Sequence, residues 1–443
     1  MKNVVLLFAD DMRYGMIDNP YVITPNLDRL AEKGVMFRNA HIPGGTSGAV
    51  CMPSRAMLHT GRLLEDLASF GKYIPLEHIM LGEVLQKHNY ITYGIGKWHN
   101  GTDSYNRGFS DGSEIFFGGM EDHWNVPANN YDPTGKYEKK IKKSRNPYNS
   151  NEIAVHNCDH VTPGKHSSEL FADASIEFIE NRDKTNPFFL YTSFMAPHDP
   201  RTMPQEFLDM YDISNTKLPE NYMPLHPFDF SGIDTRDERL APHPRTEDIV
   251  KQHLTEYYAM ITHLDHCIGR ILESLESESL LEDTLIIFAA DNGLAVGSHG
   301  LMGKQNLYEH SIRVPLILSG PEIPEKTTSD AAVYIADLYP TILDYLGIPK
   351  PSSCQVNSIL PVINDQETAR NVLYLRYKNS IAGIKKDGYK LIKYMKSDQI
   401  RMSLFNLEED PGETNDLINS PEHSNLISEL LDEIETNWKV LEL

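Results

Sequence analysis

The sequence has no long apolar run. Its longest uninterrupted stretches, such as residues 4–9, fall far short of the roughly 18 residues needed to cross a bilayer as a helix. Basic residues are also scarce: 41 Lys and Arg against 63 Asp and Glu give a net charge of −22. A field of that sign repels polyanions, which excludes sequence-independent nucleic-acid binding. Any anionic substrate must therefore be held by a local cluster of cations or by a metal. The four cysteines, Cys51, Cys158, Cys267 and Cys354, are too few and too scattered for a disulfide framework or a cysteine-based zinc site. After Met-Lys-Asn the chain enters an apolar run at once, with no charged n-region, h-region and cleavage site. It is expected to be cytoplasmic, or periplasmic or secreted if a signal peptide has been trimmed. Internal repeats and low-complexity tracts are absent from the sequence.

What remains is ample for a core: 443 residues, 40% of them apolar, exceed the usual span of one compact unit. Short runs rich in β-branched and aromatic residues at 4–9, 188–194, 284–290 and 314–319 read as buried strands. Between them, helical periodicity covers 26–33, 81–88, 166–181, 247–276 and 332–346. This alternation predicts an α/β fold with a large, mostly parallel sheet sandwiched between helices. After Pro361 the texture changes. Strand-like segments at 372–377, 380–386, 389–394 and 402–407 and one helix over 424–438 predict a small antiparallel sheet with a helix on one face. The boundary is placed near residue 365, giving a large α/β domain over 1–365 and a subdomain over 366–443. Residues 102–165 and 199–245 have loop composition, and loops of that length in a compact domain carry function or are disordered.

Asp10-Asp11 directly follows the first strand run and Asp291-Asn292 follows another, so both pairs are expected at the carboxyl ends of parallel strands, the edge where open α/β sheets bind ligands. A solvated strand-end turn leaves the same signature once. Twice, it places three carboxylates and an amide together, and oxygen-only ligation suits a hard cation, Ca²⁺ or Mg²⁺. The segment 51–62, Cys-Met-Pro-Ser-Arg-Ala-Met-Leu-His-Thr-Gly-Arg, puts Pro53 in the first turn of a helix and Cys51 at its N-terminus, where free N–H groups and the dipole favour an anion. Arg55 lies one turn inside.

Cys-X-Pro-Ser-Arg followed by Thr-Gly-Arg resembles the signature of the type I, formylglycine-dependent sulfatases of the alkaline-phosphatase-like superfamily, and in particular a bacterial carbohydrate sulfatase. The resemblance extends through most of the chain. It includes the opening strand with Asp10-Asp11, Thr24-Pro25-Asn26-Leu27-Asp28-Arg29-Leu30-Ala31, Gly96-Lys97-Trp98-His99, Arg107-Gly108-Phe109 and Ala196-Pro197-His198-Asp199-Pro200. Asp291-Asn292-Gly293, His299-Gly300, Lys304, Arg313-Val314-Pro315-Leu316 and the 404–417 stretch with Asp410-Pro411-Gly412-Glu413 complete it.

The resemblance implies that a maturation enzyme oxidises Cys51 to formylglycine, which hydrates to a geminal diol. One hydroxyl attacks sulfur, and deprotonation of the other expels sulfate. It further implies a metal, expected to be Ca²⁺, held by Asp10, Asp11, Asp291, Asn292 and residue 51. Arg55, Lys97 and Lys304 meet the charge on the sulfuryl oxygens. His198 protonates the leaving oxygen and His99 takes the diol proton. The expected substrate is a sulfated carbohydrate, with Arg201 and His299 as candidate contacts. Phosphate or phosphonate ester hydrolysis, aryl sulfate hydrolysis and non-catalytic sugar binding are the competing readings, and the last lacks its expected mark, loss of the nucleophile or metal ligands. Two departures stand out: His310 where many relatives carry a second acid, and His59 where the Cys51 helix is often aliphatic. His59, His156, His160 and His166 keep structural readings.

Six of the ten residues at 136–145 are basic (Lys136, Lys139, Lys140, Lys142, Lys143, Arg145) in a chain of net charge −22. A solvated loop is one reading. The other follows from the resemblance, which implies that the insertion after Trp98-His99 forms part of the pocket rim, where such cations offset the repulsive field and attract a sulfated oligosaccharide. Neutralising Lys139, Lys140, Lys142 and Lys143 is expected to lower kcat/KM for a multiply sulfated oligosaccharide at low salt, with the two profiles converging as screening increases. Superimposable salt profiles would reduce the run to solvated surface.

Overall fold

The computed structural model describes residues 2–145, 148–364 and 369–437. An eight-stranded sheet runs through its centre in the order Thr327–Ser329, Gly34–Phe37, Leu316–Ser319, Thr284–Ala290, Asn3–Ala9, Phe188–Ser193, Ile91–Lys97, Asp111–Phe116. The five strands from Thr284–Ala290 to Asp111–Phe116 are parallel, whereas Leu316–Ser319 is antiparallel to both its neighbours. Every residue of Asn3–Ala9, Phe188–Ser193 and Thr284–Ala290 is buried, which is why these segments read as continuous apolar runs without alternation. The long helix Glu247–Ser277 packs against Ser167–Asn181 and Pro25–Glu32, and the helix Cys51–Thr60 packs against the Leu338–Tyr345 helix and the turn before it. No helix among the described residues is long and apolar enough to cross a membrane, and all four cysteines are free and buried.

Some expectations need correction. The strands Ile91–Lys97 and Asp111–Phe116 were not expected: the first is interrupted by Gly94 and Gly96, and the second is a polar edge strand. The segment 332–346 is not one helix. Val333–Tyr334 is a short strand and Ile335–Asp337 a 3₁₀ turn before the helix Leu338–Tyr345. The loop-like stretch 102–165 holds the helix Thr102–Gly108 and a hairpin of Ile141–Ser144 with Ile153–His156.

The C-terminal region forms the antiparallel sheet Gln399–Asn406, Tyr389–Lys396, Ile381–Lys386, Val372–Tyr377, with the helix Ser424–Asn437 on it over a small core of Ala382, Ile384, Leu391, Leu404, Leu430 and Ile434. The boundary expected near residue 365 and the last residue of the expected helix lie outside the described residues. A fifth strand, Gly44–Gly45, joins this sheet in parallel with Val372–Tyr377. Only glycine serves at residue 44: φ is +116°, and a Cβ there would lie 2.0 Å from the Arg376 carbonyl oxygen. The segment just ahead of Cys51 is thus stitched into the C-terminal sheet.

A buried ion cluster makes the second seam. Lys390, fully buried, pairs with Glu309 at 3.0 Å and with Glu413, and donates to the Leu307 carbonyl at 2.9 Å. Lys390→Ala leaves two buried carboxylates without this cation and is expected to cost about 3–5 kcal/mol of stability, measured by denaturant unfolding. A loss under about 1 kcal/mol would mean that Lys385, 3.0 Å from Glu309, carries the seam alone.

Candidate active site

Ala9 pairs with Ala290 in parallel register, so Asp10 and Asp291 leave the sheet side by side. Next along the sheet, Phe188–Ser193 delivers residues 194–199 and Ile91–Lys97 delivers Lys97 to His99 to the same edge. Each acid there takes its own cation. Lys97 pairs with Asp10 and Lys304 with Asp11, while Arg55 Nε donates to Asp291 Oδ2 at 3.0 Å with its Nη2 in ion-pair contact at 2.9 Å. Asn292 Nδ2 donates to Asp11 Oδ1 at 2.7 Å, and the Asp11 N–H donates to Asp291 Oδ1 at 3.1 Å. All of these side chains are buried.

Electrostatics sort the acids. Burial raises the Asp10 carboxyl, but the facing Lys97, His198, Arg55 and Lys304 outweigh it and hold Asp10 well below the usual carboxylate range. Burial, and then the neighbouring Asp10 charge, push Asp291 up to about 7. Burial opposes the charge of Lys304, yet the Asp11 carboxylate keeps its ammonium well above the ordinary lysine value. Even with three cations in place, Asp10 Oδ1, Asp11 Oδ2 and Asn292 Oδ1 are buried and accept no hydrogen bond. Native proteins rarely leave such atoms unpaired. Donor atoms of Asp10, Cys51 and Asp291 lie within 4.8 Å of one another, as do those of Asp10, Asp11 and His198. Spare oxygen lone pairs converging beside crowded negative charge fit a hard divalent cation.

Cys51 is the first residue of Cys51–Thr60, and Gly61 ends that helix in the left-handed region. Its Sγ lies 3.3 Å from His99 Nδ1 and 3.7 Å from Lys97 Nζ. Burial pushes the thiol up to about 11, outweighing Lys97 and Lys304, so an unmodified thiol there is a poor nucleophile. The turn carrying His99 is fixed from both sides: the Trp98 indole donates to the Gly101 carbonyl at 2.7 Å, and Asn100 Nδ2 donates to the Met52 carbonyl at 2.9 Å.

A cavity of about 280 Å³ opens above residue 51, lined by Cys51, His99, His198 and Lys304 together with Gly48, Ala49, Gly119, Met120, Thr235, Arg236, Asp237 and Gln305. Larger surface clefts, of about 600 Å³ beside Tyr93 and Phe178 and about 470 Å³ beside Leu272 and Ile286, hold none of the expected site residues. Arg55 lies behind Asp291 and is not part of the cavity wall. Arg201 donates Nη1 to His253 Nδ1 at 2.5 Å, and His299 stacks on Tyr308 at 3.9 Å while donating Nε2–H to the Glu413 carbonyl at 3.0 Å. Neither lines the cavity. His59 is packed between Trp98 and Tyr191. The Thr235-Arg236-Asp237 wall and Gly119-Met120 were missed by sequence reasoning, which had only the length and polarity of their loops to go on. Gln305, beside Lys304, joins them: its Nε2 donates to Asp237 Oδ2 at 2.6 Å and to the Gly48 carbonyl at 2.9 Å. His156, of the hairpin that includes the end of the basic run, lies 3.8 Å from Glu121, next to Met120, and none of residues 136–145 lines the cavity.

Comparison with known proteins gives a consistent picture. The family model described as Sulfatase matches residues 2–348, and one described as N-sulphoglucosamine sulphohydrolase, C-terminal, matches residues 297–439. The chain is 29% identical to an arylsulfatase of Clostridium perfringens, covering 97% of this chain and 92% of the relative. It is 24% identical to an N-acetylglucosamine-6-O-sulfatase of Bacteroides thetaiotaomicron, covering 99% and 86%. A solved structure in complex with D-glucosamine-2-N,6-O-disulfate superposes with a TM-score of 0.76 at 23% identity, covering 98% and 97%.

If the acid cluster holds a divalent cation, chelation lowers the thermal midpoint and the cation restores it. At a hundredfold excess over Kd the gain is about 2.7 kcal/mol. Asp291→Ala is expected to abolish that cation-dependent shift, and a variant that still responds fully would remove Asp291 from the ligand set.

Proposed function

The chain belongs to the sulfatase family of sulfuric ester hydrolases, and on that premise we propose that it removes sulfate from a sulfated carbohydrate, using formylglycine matured from Cys51 beside a bound Ca²⁺. The observation that carries this reading is the setting of residue 51, at a helix N-terminus on the cavity wall, against His99 and Lys97 and beside unpartnered carboxylate oxygens. A hydrated formylglycine supplies a nucleophilic hydroxyl and a second one whose deprotonation releases sulfate, and Ca²⁺, or Mg²⁺ in its place, supplies Lewis-acid charge at the same point.

The protein's own groups divide the remaining work. Burial, and then the Lys97 charge, hold the His99 imidazole well below its ordinary value, so it is neutral and able to accept a proton from residue 51. His198 Nδ1 faces the Asp199 carbonyl at 2.8 Å, and a carbonyl only accepts, so Nδ1 carries hydrogen. Nε2, 3.6 Å from Asp11 Oδ2, faces the reacting group, and His198 carrying a second proton on Nε2 serves as the acid, passing that proton to the leaving oxygen and keeping the Nδ1–H. Lys97 and Lys304, beside residue 51, offset charge on the sulfuryl oxygens. Arg55 acts one step back, by orienting Asp291.

The cavity wall favours a sugar. Thr235, Arg236, Asp237 and Gln305 offer hydrogen bonds, and no Phe, Tyr or Trp is among the lining residues described. Arg236, held by Asp199 at 2.6 and 2.9 Å and half-exposed, stands at the mouth. The similarity to an N-acetylglucosamine-6-O-sulfatase supports the same substrate class.

The test is a screen of sulfated mono- and oligosaccharides, an aryl sulfate and matched phosphate monoesters for anion release. A sulfated sugar is expected to give the highest kcat/KM; faster turnover of a phosphate monoester would overturn the reading. The active protein should be lighter than its sequence mass by roughly 18 Da, the difference between thiol and aldehyde, and Cys51→Ala should fold without turnover.

A further inference from the structure

Two buried histidines outside the cavity wall, His123 and His166, stack face to face with ring centroids 4.9 Å apart and planes 4° from parallel. Both come from the insertion that follows His99, and both address the segment carrying His198. His123 Nε2 lies 3.0 Å from the carbonyl oxygen of His198, and His166 Nε2 lies 2.9 Å from that of Thr202.

The hydrogen-bond partners fix both tautomers. A carbonyl oxygen has no hydrogen to give, so each Nε2 carries the proton. His123 Nδ1 is then the acceptor for the Ser167 hydroxyl at 2.7 Å. His166 Nδ1 accepts the Ser168 N–H at 3.2 Å, capping the helix Ser167–Asn181. Burial holds both rings below the ordinary histidine value, so both are neutral donors. One rigid helix start therefore sets two imidazoles, and these grip the main chain at His198 and four residues beyond it.

We infer that His123 is a positioning residue for His198: its Nε2–H pins the His198 carbonyl, with the stacked His166 pinning Thr202, so that the intervening segment presents the imidazole to the leaving oxygen at one fixed distance. The inference rests on the reading of His198 as the acid. Its consequence is selective. Proton donation matters for an alcohol leaving group and little for an activated phenol, so misplacing His198 must slow sugar sulfates and spare nitrophenyl sulfate.

The experiment measures kcat and KM of His123→Ala, His123→Gln and His198→Ala on the best sulfated sugar from the screen and on nitrophenyl sulfate. For His123→Ala, kcat on the sugar sulfate is expected to fall roughly tenfold or more, with kcat on nitrophenyl sulfate and both KM values held within about twofold. Glutamine, whose amide N–H reaches about as far as Nε2, should restore most of the loss. His198→Ala should show the same bias more strongly. If His198→Ala shows the bias and His123→Ala slows both substrates equally or neither, the positioning role is overturned. If His198→Ala lacks the bias, the acid assignment falls and the inference with it. Should the alanine variant not fold, His123→Asn, too short to reach the carbonyl, is read in its place by the same criteria.

Discussion

Three carboxylates and three cations buried at one edge of a parallel sheet are the constraint on which the rest of the structure depends. Each ion carries a desolvation penalty of several kcal/mol, which only good geometry offsets. The pairing is one to one: Asp10 with Lys97, Asp11 with Lys304, Asp291 with Arg55. The partners come from five separate parts of the chain, so the pairs form only when three parallel strand ends, the Cys51 helix and the turn at Lys304 are all in place. Moving any one of them exposes a buried charge without its partner. The same condition that makes the arrangement costly makes it specific, because few alternative packings satisfy all three pairs at once.

This constraint explains where the sequence was legible. Asn3–Ala9 and Thr284–Ala290 are wholly buried, so their apolar runs stand out, and the acids ending them could be read as a site without knowing the fold. The start of the Cys51 helix announced itself through Pro53, with Arg55 one turn inside. The C-terminal sheet was legible for a different reason: its strands are separated by short turns such as Asp387-Gly388. What escaped is what depends on long-range contacts. Ile91–Lys97 carries Lys97 into the site, yet Gly94 and Gly96 interrupt its pattern; Gly96 is required there because a Cβ would lie 2.0 Å from the Ser193 carbonyl. Gly44–Gly45 cannot be recognised as a strand from two glycines. Arg201 and His299 lie beside motifs that reach the site, but sequence proximity does not fix side-chain direction, and both turn toward His253 and Tyr308 instead.

The two polar insertions were legible only as long and irregular, and both contribute to the cavity wall. The 199–245 loop supplies the wall through Thr235, Arg236 and Asp237, and Gln305 ties that wall to Gly48, three residues before Cys51. The 102–165 loop and the residues just beyond it supply Gly119 and Met120 to the wall and the stacked imidazoles to the scaffold. Within the 102–165 loop and its end, cavity-lining and scaffold-holding groups lie close in sequence, so the cavity wall can vary without disturbing the scaffold.

Charge balance links the acid cluster to the whole molecule. With every acid matched by a cation, the edge is neutral among the named groups, and a chain of net charge −22 offers an approaching anion no long-range attraction. A divalent cation among the spare oxygens changes the sign of the site locally, over a distance shorter than a Debye length. With such a cation bound, selectivity for an anion would reside in the occupied site, where local positive charge outweighs the repulsive field of a chain of net charge −22.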